Sequence, residues 1–391
     1  MKIIVCLSRI PYPLNKGDKL RAFYQIKELS KNNDIYLFCL NNKKANKQGL
    51  NILKNYCKEI KVENISLFSS IFSVFKAIFS SLPLQVAFYT KKRIIKSFED
   101  FYNNINPKIS YFQFVRTAEY AKSIQGIKVL DFQDCLSLNM ERRSNVSKGL
   151  FKYIFHLEAK RLTKYENLMF NIFSKCTIIA SNDRDGIQSE RKNEIEIITN
   201  GVDNSFINYN YEQEKEYDII FSGNMSYAPN VLAANFLVKD IMPIVWKDKP
   251  NIKVVICGSN PKKEVTNLEN KNVIVTGWVN DMKEYYAKSK IFIAPMQIGT
   301  GLQNKLLEAM AMNLPSITTS LANKSLMAQN NKDILIGNNK EELASCILSL
   351  LNDSHLYSTL SMNGKEYVRN NFSWINSTEK LYLIFQQLTK S

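Results

Sequence analysis

Apolar strand-like runs alternate with helical segments along this chain, and the alternation occurs twice. In the first half, the runs KIIVCLS and DIYLFCL flank a segment with helical periodicity. After Val202 the alternation restarts, with YDIIFSG and IKVVICGSN on either side of another helical segment. β-Branched runs separated by a helical period predict β-α-β units, and such units form parallel sheets with helices on both faces. We therefore predict an α/β protein with two doubly wound domains facing across a cleft.

The chain length agrees with two domains, because 391 residues exceed what one ordinary hydrophobic core serves. The stretch NGVDNSFINYNYEQEKEYD has no apolar period and carries several charges, which predicts a linker. We place an N-terminal domain at residues 1–203 and a C-terminal domain at residues 204–370. A last helix at 371–391 is expected to pack back toward the N-terminal domain. Ligands of open parallel sheets bind at the carboxyl ends of the strands, so the site is expected there.

The chain is strongly basic, with 52 Lys and Arg against 36 Asp and Glu and a formal charge of +16. Such an excess indicates an anionic partner, which could be nucleic acid, a membrane surface or a phosphorylated small molecule, or it reflects a Lys/Asn-rich proteome. A nucleic-acid binder concentrates basic and aromatic residues on one element. Here the basic residues are scattered, so we predict no nucleic-acid partner.

The seven cysteines lie far apart, without a Cys-x-x-Cys pair, and several fall in apolar runs such as IIVCL and VVICG. This pattern favours small buried side chains in a reducing compartment over a disulfide framework or a zinc site. The chain has only 2 histidines, which excludes a histidine-rich metal centre. We therefore expect a cytoplasmic protein with no metal and no cofactor.

One segment has two interpretations with respect to membranes. The stretch Ile65–Leu84 is apolar apart from Lys76 and precedes the basic sequence YTKKRIIK. It fits an interfacial helix on an anionic membrane, and it fits a core helix of the N-terminal domain equally well. No run of about 18 uncharged apolar residues occurs, so no membrane-spanning helix is expected.

A donor-rich loop follows the strand-like run IFIAP. Gly299 and Gly301 allow a tight turn that aims the backbone N–H groups of the next residues at a ligand. The helix N-terminus that follows favours phosphate, and Lys305, one turn in, can reach a phosphate oxygen. Glu308 shares the face of Lys305 and could accept sugar hydroxyls. The alternative is a plain glycine-containing turn with an exposed Lys/Glu pair.

This loop also resembles a known family. GTGLQNKLLEAMAMNLPSITT is similar to the donor-site segment of the GT-B glycosyltransferases in the large retaining group often called family 4. SRIPYPLNKGDKLRAFYQIKEL resembles the N-terminal glycine loop of that group's exopolysaccharide-type sugar transferases. ITNGVD, IIFSGNMSYAPNVLAANFL and VTGWVNDMKEYYAKSKIFIAP resemble its crossover, first donor-domain and base-binding segments, in the expected order. The resemblance implies the GT-B fold, with two Rossmann-like domains.

The resemblance also implies site residues. Glu308 matches the family's ribose-binding glutamate, and Val279 lies where main-chain atoms contact the nucleotide base. The implied donor-binding set is Gly17, Asp18, Arg21, Gly223, Asn224, Val279, Gly299, Thr300, Gly301, Leu302, Gln303, Asn304, Lys305 and Glu308. Alternatively, Asp18 only caps its helix and Arg21 only forms a surface ion pair.

The chain departs from the family pattern at two positions. Thr300 stands where relatives have the first glutamate of an E-x7-E pair, which helps hold the donor sugar. Asn224 follows Gly223 where many relatives carry a basic pair, and no Lys or Arg occurs before Asn230. Lys305 is the natural substitute for those phosphate contacts.

Two further candidates follow strands of the N-terminal domain. Asp134 ends the run IKVLDFQD, where relatives often have a histidine, and is our candidate for positioning sugar hydroxyls or the acceptor. Arg116 follows YFQFV and could face an acidic acceptor. Lys305 and Asp134 are therefore the candidate catalytic residues.

The implied activity is a metal-independent, retaining transfer of a sugar from a UDP or GDP donor to a saccharide or lipid-linked acceptor. Its setting would be bacterial surface polysaccharide or lipopolysaccharide assembly, at the inner face of the cytoplasmic membrane. A catalytically degenerate scaffold of the same fold and a nucleotide-sugar epimerase remain alternatives.

Overall fold

The computed structural model describes residues 1–14, 16–41, 47–209, 214–298 and 301–390. It divides the chain into two compact units, Met1–Thr199 with Trp374–Ser391, and Asn200–Ser373. The first division therefore falls four residues before the predicted boundary at 203/204. Val202 belongs to the second unit because its N–H donates to the carbonyl of Phe372 at 2.9 Å and its side chain is buried in that unit's core.

Within the described residues, the first unit is built on a seven-stranded parallel sheet in the order β3-β2-β1-β4-β5-β6-β7. The strands are β1 (Lys2–Leu7), β2 (Asp34–Asn41), β3 (Glu59–Asn64), β4 (Ile109–Gln113), β5 (Ile127–Asp131), β6 (Lys175–Ile178) and β7 (Glu196–Ile197). The helices are α1 (Gly17–Leu29), α2 (Lys47–Leu53), α3 (Leu67–Ile78), α4 (Leu84–Tyr89), α5 (Lys92–Ile105), α6 (Ala118–Ala121), α7 (Leu136–Val146), α8 (Gly149–Ile172) and α9 (Ser181–Gly186).

The central strands are apolar because helices cover both faces of the sheet. In β1, Ile3 and Ile4 point to opposite faces, and both are fully buried. The edge strand β3 has the sequence EIKVEN, and its side chains are half-buried or exposed. Charged residues on an edge strand discourage pairing with another chain.

The second unit has, in the part of the chain that is described, a six-stranded parallel sheet in the order β10-β9-β8-β11-β12-β13. The strands are β8 (Tyr217–Ser222), β9 (Val254–Cys257), β10 (Val273–Gly277), β11 (Ser289–Ala294), β12 (Ser316–Thr318) and β13 (Leu335–Ile336). The helices are α10 (Asn204–Ile207), α11 (Ala228–Phe236), α12 (Met242–Asp248), α13 (Lys263–Thr266), α14 (Met282–Ala287), α15 (Asn304–Ala311), α16 (Ser320–Leu326), α17 (Lys340–Asn352) and α18 (Ser354–Asn371). The predicted linker therefore includes a short helix, α10, and the first residues of β8.

The helical run Ala228–Asp248 joins α11 to α12 through a π-helical turn, and it is the one run among the described residues long and apolar enough to cross a membrane. Apolar side chains of this run pack inside the protein. Leu237, Ile241 and Val245 are fully buried in the core of the second unit. Packing in that core accounts for the composition of this run.

The last helix, α19 (Trp374–Lys390), belongs to the first unit. Trp374 stacks on Tyr24 of α1 with ring centroids 5.1 Å apart, and Phe385 contacts the ring of Tyr111 in β4 at 5.6 Å. Its start at Trp374 falls after the predicted 371, because Phe372 is still buried in the core of the second unit.

The burial of most cysteines agrees with the sequence prediction. All seven are free, and all except Cys346 are buried. Burial raises the pKa of Cys176 and of Cys257 to about 12, so these thiols stay protonated at neutral pH.

In each sheet the strand order reverses at one point, between β1 and β4 in the first unit and between β8 and β11 in the second. On the two sides of such a point the connecting loops turn in opposite directions. A crevice therefore opens at the carboxyl ends of the two strands, which is where ligands bind in doubly wound folds. Most of the described candidate residues follow these four strands, whereas Asp134 follows β5 and Val279 follows β10.

Candidate functional site

In the second unit, a lysine is held beside the carboxyl end of β8. Lys305, in the first turn of α15, donates from Nζ to Oδ1 of Asn230 at 2.6 Å. The Nδ2 group of Asn230 in turn donates to the main-chain oxygen of Asn224 at 3.0 Å. The ammonium group also lies 4.7 Å from the centre of the Phe221 ring. The lysine is therefore fixed over the loop between β8 and α11.

The surroundings of Lys305 disfavour its charge. Burial lowers the pKa of Lys305 to about 7, and the nearby carboxylate of Glu308 only partly opposes this effect. The side chain nevertheless keeps some exposure to solvent. An anion that reaches Nζ would restore the charged form, so the site is suited to a phosphate group.

Glu308 lies one turn further along α15, in a second polar chain. Its Oε2 accepts from the hydroxyl of Tyr286 at 3.1 Å, and that hydroxyl lies 2.8 Å from Oγ of Ser222 at the end of β8. Burial raises the pKa of Glu308 to about 7, while the bond from Tyr286 and the charge of Lys305 act in the opposite direction. Tyr286 therefore sets the orientation of the carboxylate and leaves its other oxygen for a ligand.

The start of α15 presents unpaired donors. Gln303 precedes the helix as its N-cap, and its side-chain amide donates to the carbonyl of Gly301 at 2.9 Å. Among the described residues, the backbone N–H groups of Leu302, Gln303 and Lys305 have no acceptor. Such first-turn N–H groups attract anions. Asn304 uses its side-chain oxygen to accept from Asn200 at 3.4 Å. Gly299 and Thr300 lie outside the described residues.

Two glycines keep the strand ends close together. Gly258, after β9, has φ +150, and a Cβ there would lie 1.6 Å from the carbonyl oxygen of Gly223. Gly223 itself has φ +153, and a Cβ would lie 2.7 Å from Nδ2 of Asn230. Any side chain at Gly223 would therefore push away the asparagine that holds Lys305. Asn224 uses its own side chain locally, accepting from the N–H and hydroxyl of Ser226.

The loop after β10 carries the predicted base-binding segment. Val279 is half-buried, and Trp278 is 65% exposed, so this tryptophan does not pack in the core. Asp281 caps α14 by accepting from the N–H of Lys283 at 2.9 Å.

In the first unit, Arg21 does not occupy the predicted position. It forms a bidentate ion pair with Asp131 at 2.6 and 3.2 Å, and both side chains are fully buried. Tyr111 and Thr177 also donate to this carboxylate, at 3.0 and 3.1 Å. A guanidinium enclosed in this way holds α1 against β5 and is not placed to contact donor phosphates. Arg21 therefore forms neither the surface ion pair nor the donor contact that the sequence predicted.

The N-terminal loop also differs from its prediction. Gly17 is the first residue of α1, Lys16 occupies the N-cap position, and Asp18 lies inside the first turn. The carboxylate of Asp18 forms an ion pair with Arg9 at 3.0 Å. Asp18 is therefore not the helix cap. It borders a small pocket at the end of β1, lined by Leu7, Ser8, Arg9, Pro11, Asp18, Lys19, Ala22, Gln113 and Phe114.

Asp134 lies at the carboxyl end of β5, beside strained backbone. Gln133 precedes it with φ 62, and Phe114, after the neighbouring strand β4, has φ 63. Such conformations in bulky residues are costly and concentrate at functional sites. Burial raises the pKa of Asp134 to about 6, and Arg116 partly opposes this shift. Asp134 could therefore exchange a proton near neutral pH.

Arg116 lies over the ring of Phe114, with 4.9 Å from its guanidinium carbon to the ring centre. Its Nη2 donates to the side chain of Gln85 at 2.7 Å, and its buried Nε has no partner among the described residues. Burial lowers the pKa of Arg116. The guanidinium therefore retains donor capacity for an acidic group.

Three residues that contribute to this arrangement had been given no role from the sequence: Asn230, Tyr286 and Ser222. The signal for Tyr286 is a hydroxyl on the core side of an amphipathic helix, because a buried tyrosine hydroxyl requires a partner. Within the described residues, no group of three or more His, Cys, Asp or Glu side chains is placed to hold a metal ion.

Comparison with known protein families and sequences supports a transferase. Residues 216–353 match the family model described as "Glycosyl transferases group 1". Over its whole length the chain is 24% identical to an uncharacterized 44.6 kDa protein in the cps region of Klebsiella pneumoniae, covering 99% of that protein. The capsular polysaccharide biosynthesis glycosyltransferase CapM of Staphylococcus aureus is 26% identical over 51% of this chain and 52% of its own length.

Solved structures share the fold at low sequence identity. A glycosyltransferase from Rickettsia africae has a TM-score of 0.70 at 14% identity, with 100% of this chain and 99% of that chain covered. HepE of Anabaena, solved in complex with UDP-glucose, has a TM-score of 0.69 at 13% identity, with 98% and 99% covered. The chain has the GT-B fold, and the domain match over residues 216–353 supports a group 1 glycosyltransferase.

Proposed function

We propose that this protein transfers a sugar, with retention and without a metal ion, from a nucleoside-diphosphate donor of the UDP or GDP type to a saccharide or lipid-linked acceptor. The observation that carries the proposal is the geometry around Lys305. A lysine whose charge is disfavoured lies beside helix N–H groups that have no acceptor among the described residues. The complex of HepE with UDP-glucose shows that this fold can hold such a donor.

In the proposed reaction, the bond between the anomeric carbon and the diphosphate oxygen breaks while the acceptor hydroxyl bonds to the same carbon. The proton of that hydroxyl passes to the departing diphosphate. Lys305 and the first turn of α15 stabilise the negative charge that develops on the leaving group. Glu308 would accept a hydrogen bond from a ribose hydroxyl, and the main chain of Val279 would contact the base.

We propose that Asp134 and Arg116 of the first unit bind the acceptor. Asp134 would hold a sugar hydroxyl, because a carboxyl group whose pKa is about 6 can both accept and donate near neutral pH. Arg116 would bind an acidic group on the acceptor. The cps-region protein and CapM point to capsular or other surface polysaccharide as the setting. The seven free cysteines fit a cytoplasmic location.

The test has two steps. Titration with UDP, GDP and their sugars should raise the melting temperature for one nucleotide series. With that donor and a bacterial lipid or saccharide extract, the protein should release free nucleoside diphosphate. Nucleotide binding without release of nucleoside diphosphate would instead favour a catalytically degenerate scaffold. This alternative is tested because Thr300 stands in place of the first glutamate of the family pattern. Epimerised donor without acceptor consumption would identify an epimerase.

A further inference from the structure

Helix α3 of the first unit directs its large apolar side chains toward solvent and its small residues toward the rest of the unit. Its buried residues are small, Ser70 and Ala77, which contact the rest of the unit. The large apolar side chains point outward, with Phe68 88% and Phe79 82% exposed, together with Leu67, Ile71, Phe72 and Phe75. Of the two sequence interpretations of Ile65–Leu84, the core helix is therefore wrong for α3.

Polar contacts hold α3 in this orientation. Arg161 of α8 donates to the carbonyls of Ala77 and Ile78, at 3.0 and 2.7 Å, at the C-terminal end of α3. Lys91 donates to the carbonyl of Ser69 at 2.8 Å and to the hydroxyl of Ser73 at 2.6 Å. The exposed face is therefore a fixed feature of the unit.

The beginning of α8 continues this apolar surface. Leu150 and Tyr153 are 73% and 72% exposed, and Phe151 and Leu157 are also exposed. Burial of α8 begins at Glu158, whose carboxylate accepts from the N–H groups that start α4, at 2.8 and 3.0 Å. Leu157 lies one turn before Arg161, so the two exposed stretches adjoin where α8 contacts α3.

The charges on both segments have one sign. Between Ile65 and Arg93 the chain has four basic residues and no Asp or Glu, and between Arg142 and Leu157 it again has four basic residues and no Asp or Glu. Exposed apolar side chains next to basic residues match the interface of an anionic bilayer, where rings enter the acyl boundary and ammonium groups remain at the headgroups.

We propose that α3 and the first two turns of α8 form one docking surface for an anionic lipid bilayer. A single interfacial helix would bind weakly and reversibly, and a second exposed segment adds buried apolar area. This inference stands apart from the proposed transfer reaction, since it concerns a surface that contains none of the candidate site residues.

The test is co-sedimentation of the full chain with vesicles of phosphatidylcholine and phosphatidylglycerol. Two double variants probe the surface, Phe68→Asp in α3 with Phe79→Asp directly after it (the α3 variant), and Leu150→Asp with Phe151→Asp in α8. Each should weaken binding at least about ten-fold, because two exposed apolar side chains no longer enter the interface. Higher ionic strength should weaken the wild-type interaction.

A charge-matched control separates insertion from simple attraction to a basic protein. Met362→Asp with Leu383→Asp adds the same two negative charges at exposed apolar positions on α18 and α19 and should bind like the wild type. Absence of wild-type binding to anionic vesicles, or equal loss in the control and the two variants, would overturn the proposal. Light scattering that shows a dimer, made monomeric by the α3 variant, would also overturn it and assign the surface to a second copy of the chain. Nucleotide binding and transfer are measured separately, so a failure here leaves the proposed function standing.

Discussion

Replacing Lys305 with methionine tests the candidate donor site most directly, because Lys305→Met removes the ammonium group and keeps an unbranched side chain. A hydrogen bond to a charged group contributes roughly 1.5–3 kcal/mol. At about pH 7.5, half a unit above the pKa of about 7, charging the lysine costs roughly 0.7 kcal/mol. The net loss is then about 1–2 kcal/mol, which corresponds to roughly a 5- to 30-fold weaker affinity for UDP or GDP.

The assay is isothermal titration with the preferred nucleoside diphosphate and with the corresponding nucleoside. The nucleoside has no phosphate, so the variant should bind it as the wild type does. Lys332→Met removes an exposed lysine of the same unit and should leave both affinities unchanged. Folding is checked by melting temperature. The lowered pKa of Lys305 means that the unfolded state binds more protons between about pH 7 and the ordinary lysine value, so removing this lysine should not lower stability near neutral pH.

One result would refute this reasoning. If Lys305→Met binds the diphosphate as tightly as the wild type while Lys332→Met also behaves normally, the ammonium group does not contact phosphate. The fixed contact with Asn230 would then be structural, and the proposed reaction would lose its principal stabilising charge.

The remaining predictions concern the partners of this lysine and the buried ion pair of the first unit. In Glu308→Gln, which removes the nearby charge that raises the pKa of Lys305, the lysine is mostly neutral at pH 7, so diphosphate binding should take up more than half a proton, measured by titration in buffers of different ionisation enthalpy; no uptake would mean that the lysine is not recharged by the ligand. Tyr286→Phe should raise KM for the donor several-fold and leave kcat nearly unchanged, because it releases the Glu308 carboxylate without touching the reacting atoms; an equal fall in kcat would contradict a positioning role. Arg21→Met should destabilise the protein by roughly 3–5 kcal/mol in denaturant unfolding, since it leaves the buried Asp131 charge unpaired, while nucleotide affinity of the folded protein stays unchanged. A selective loss of nucleotide affinity instead would restore Arg21 to the donor site.

Much of the architecture could be predicted because it depends on local patterns. The runs that became β1, β2, β8 and β9 are apolar over strand lengths, and doubly wound order follows from their alternation with helices. The short strands β3, β7, β12 and β13 were not predicted. β3 is an edge strand in which charged and apolar residues alternate, and β7, β12 and β13 have only two or three residues each, so none of the four has a clear hydrophobic pattern.

The candidate site was predictable in part for a similar reason. The loop before α15 is a continuous stretch, so its glycines, Lys305 and Glu308 could be recognised together. Arg21 was misplaced because its partner Asp131 is 110 residues away. A basic residue near a glycine loop has the same local sequence pattern whether it meets a ligand or a buried carboxylate.

By itself, the sequence determined that this chain forms two parallel α/β sheets, and that a donor-rich turn leads into a helix with a lysine and a glutamate. These features follow from periodicity and from the backbone freedom of glycine within short windows. Only the tertiary structure decided that Lys305 meets Asn230, 75 residues earlier, that Tyr286 orients Glu308, and that α3 turns its phenylalanines outward. Those outcomes depend on strand order and on the packing of distant segments, which no local pattern encodes.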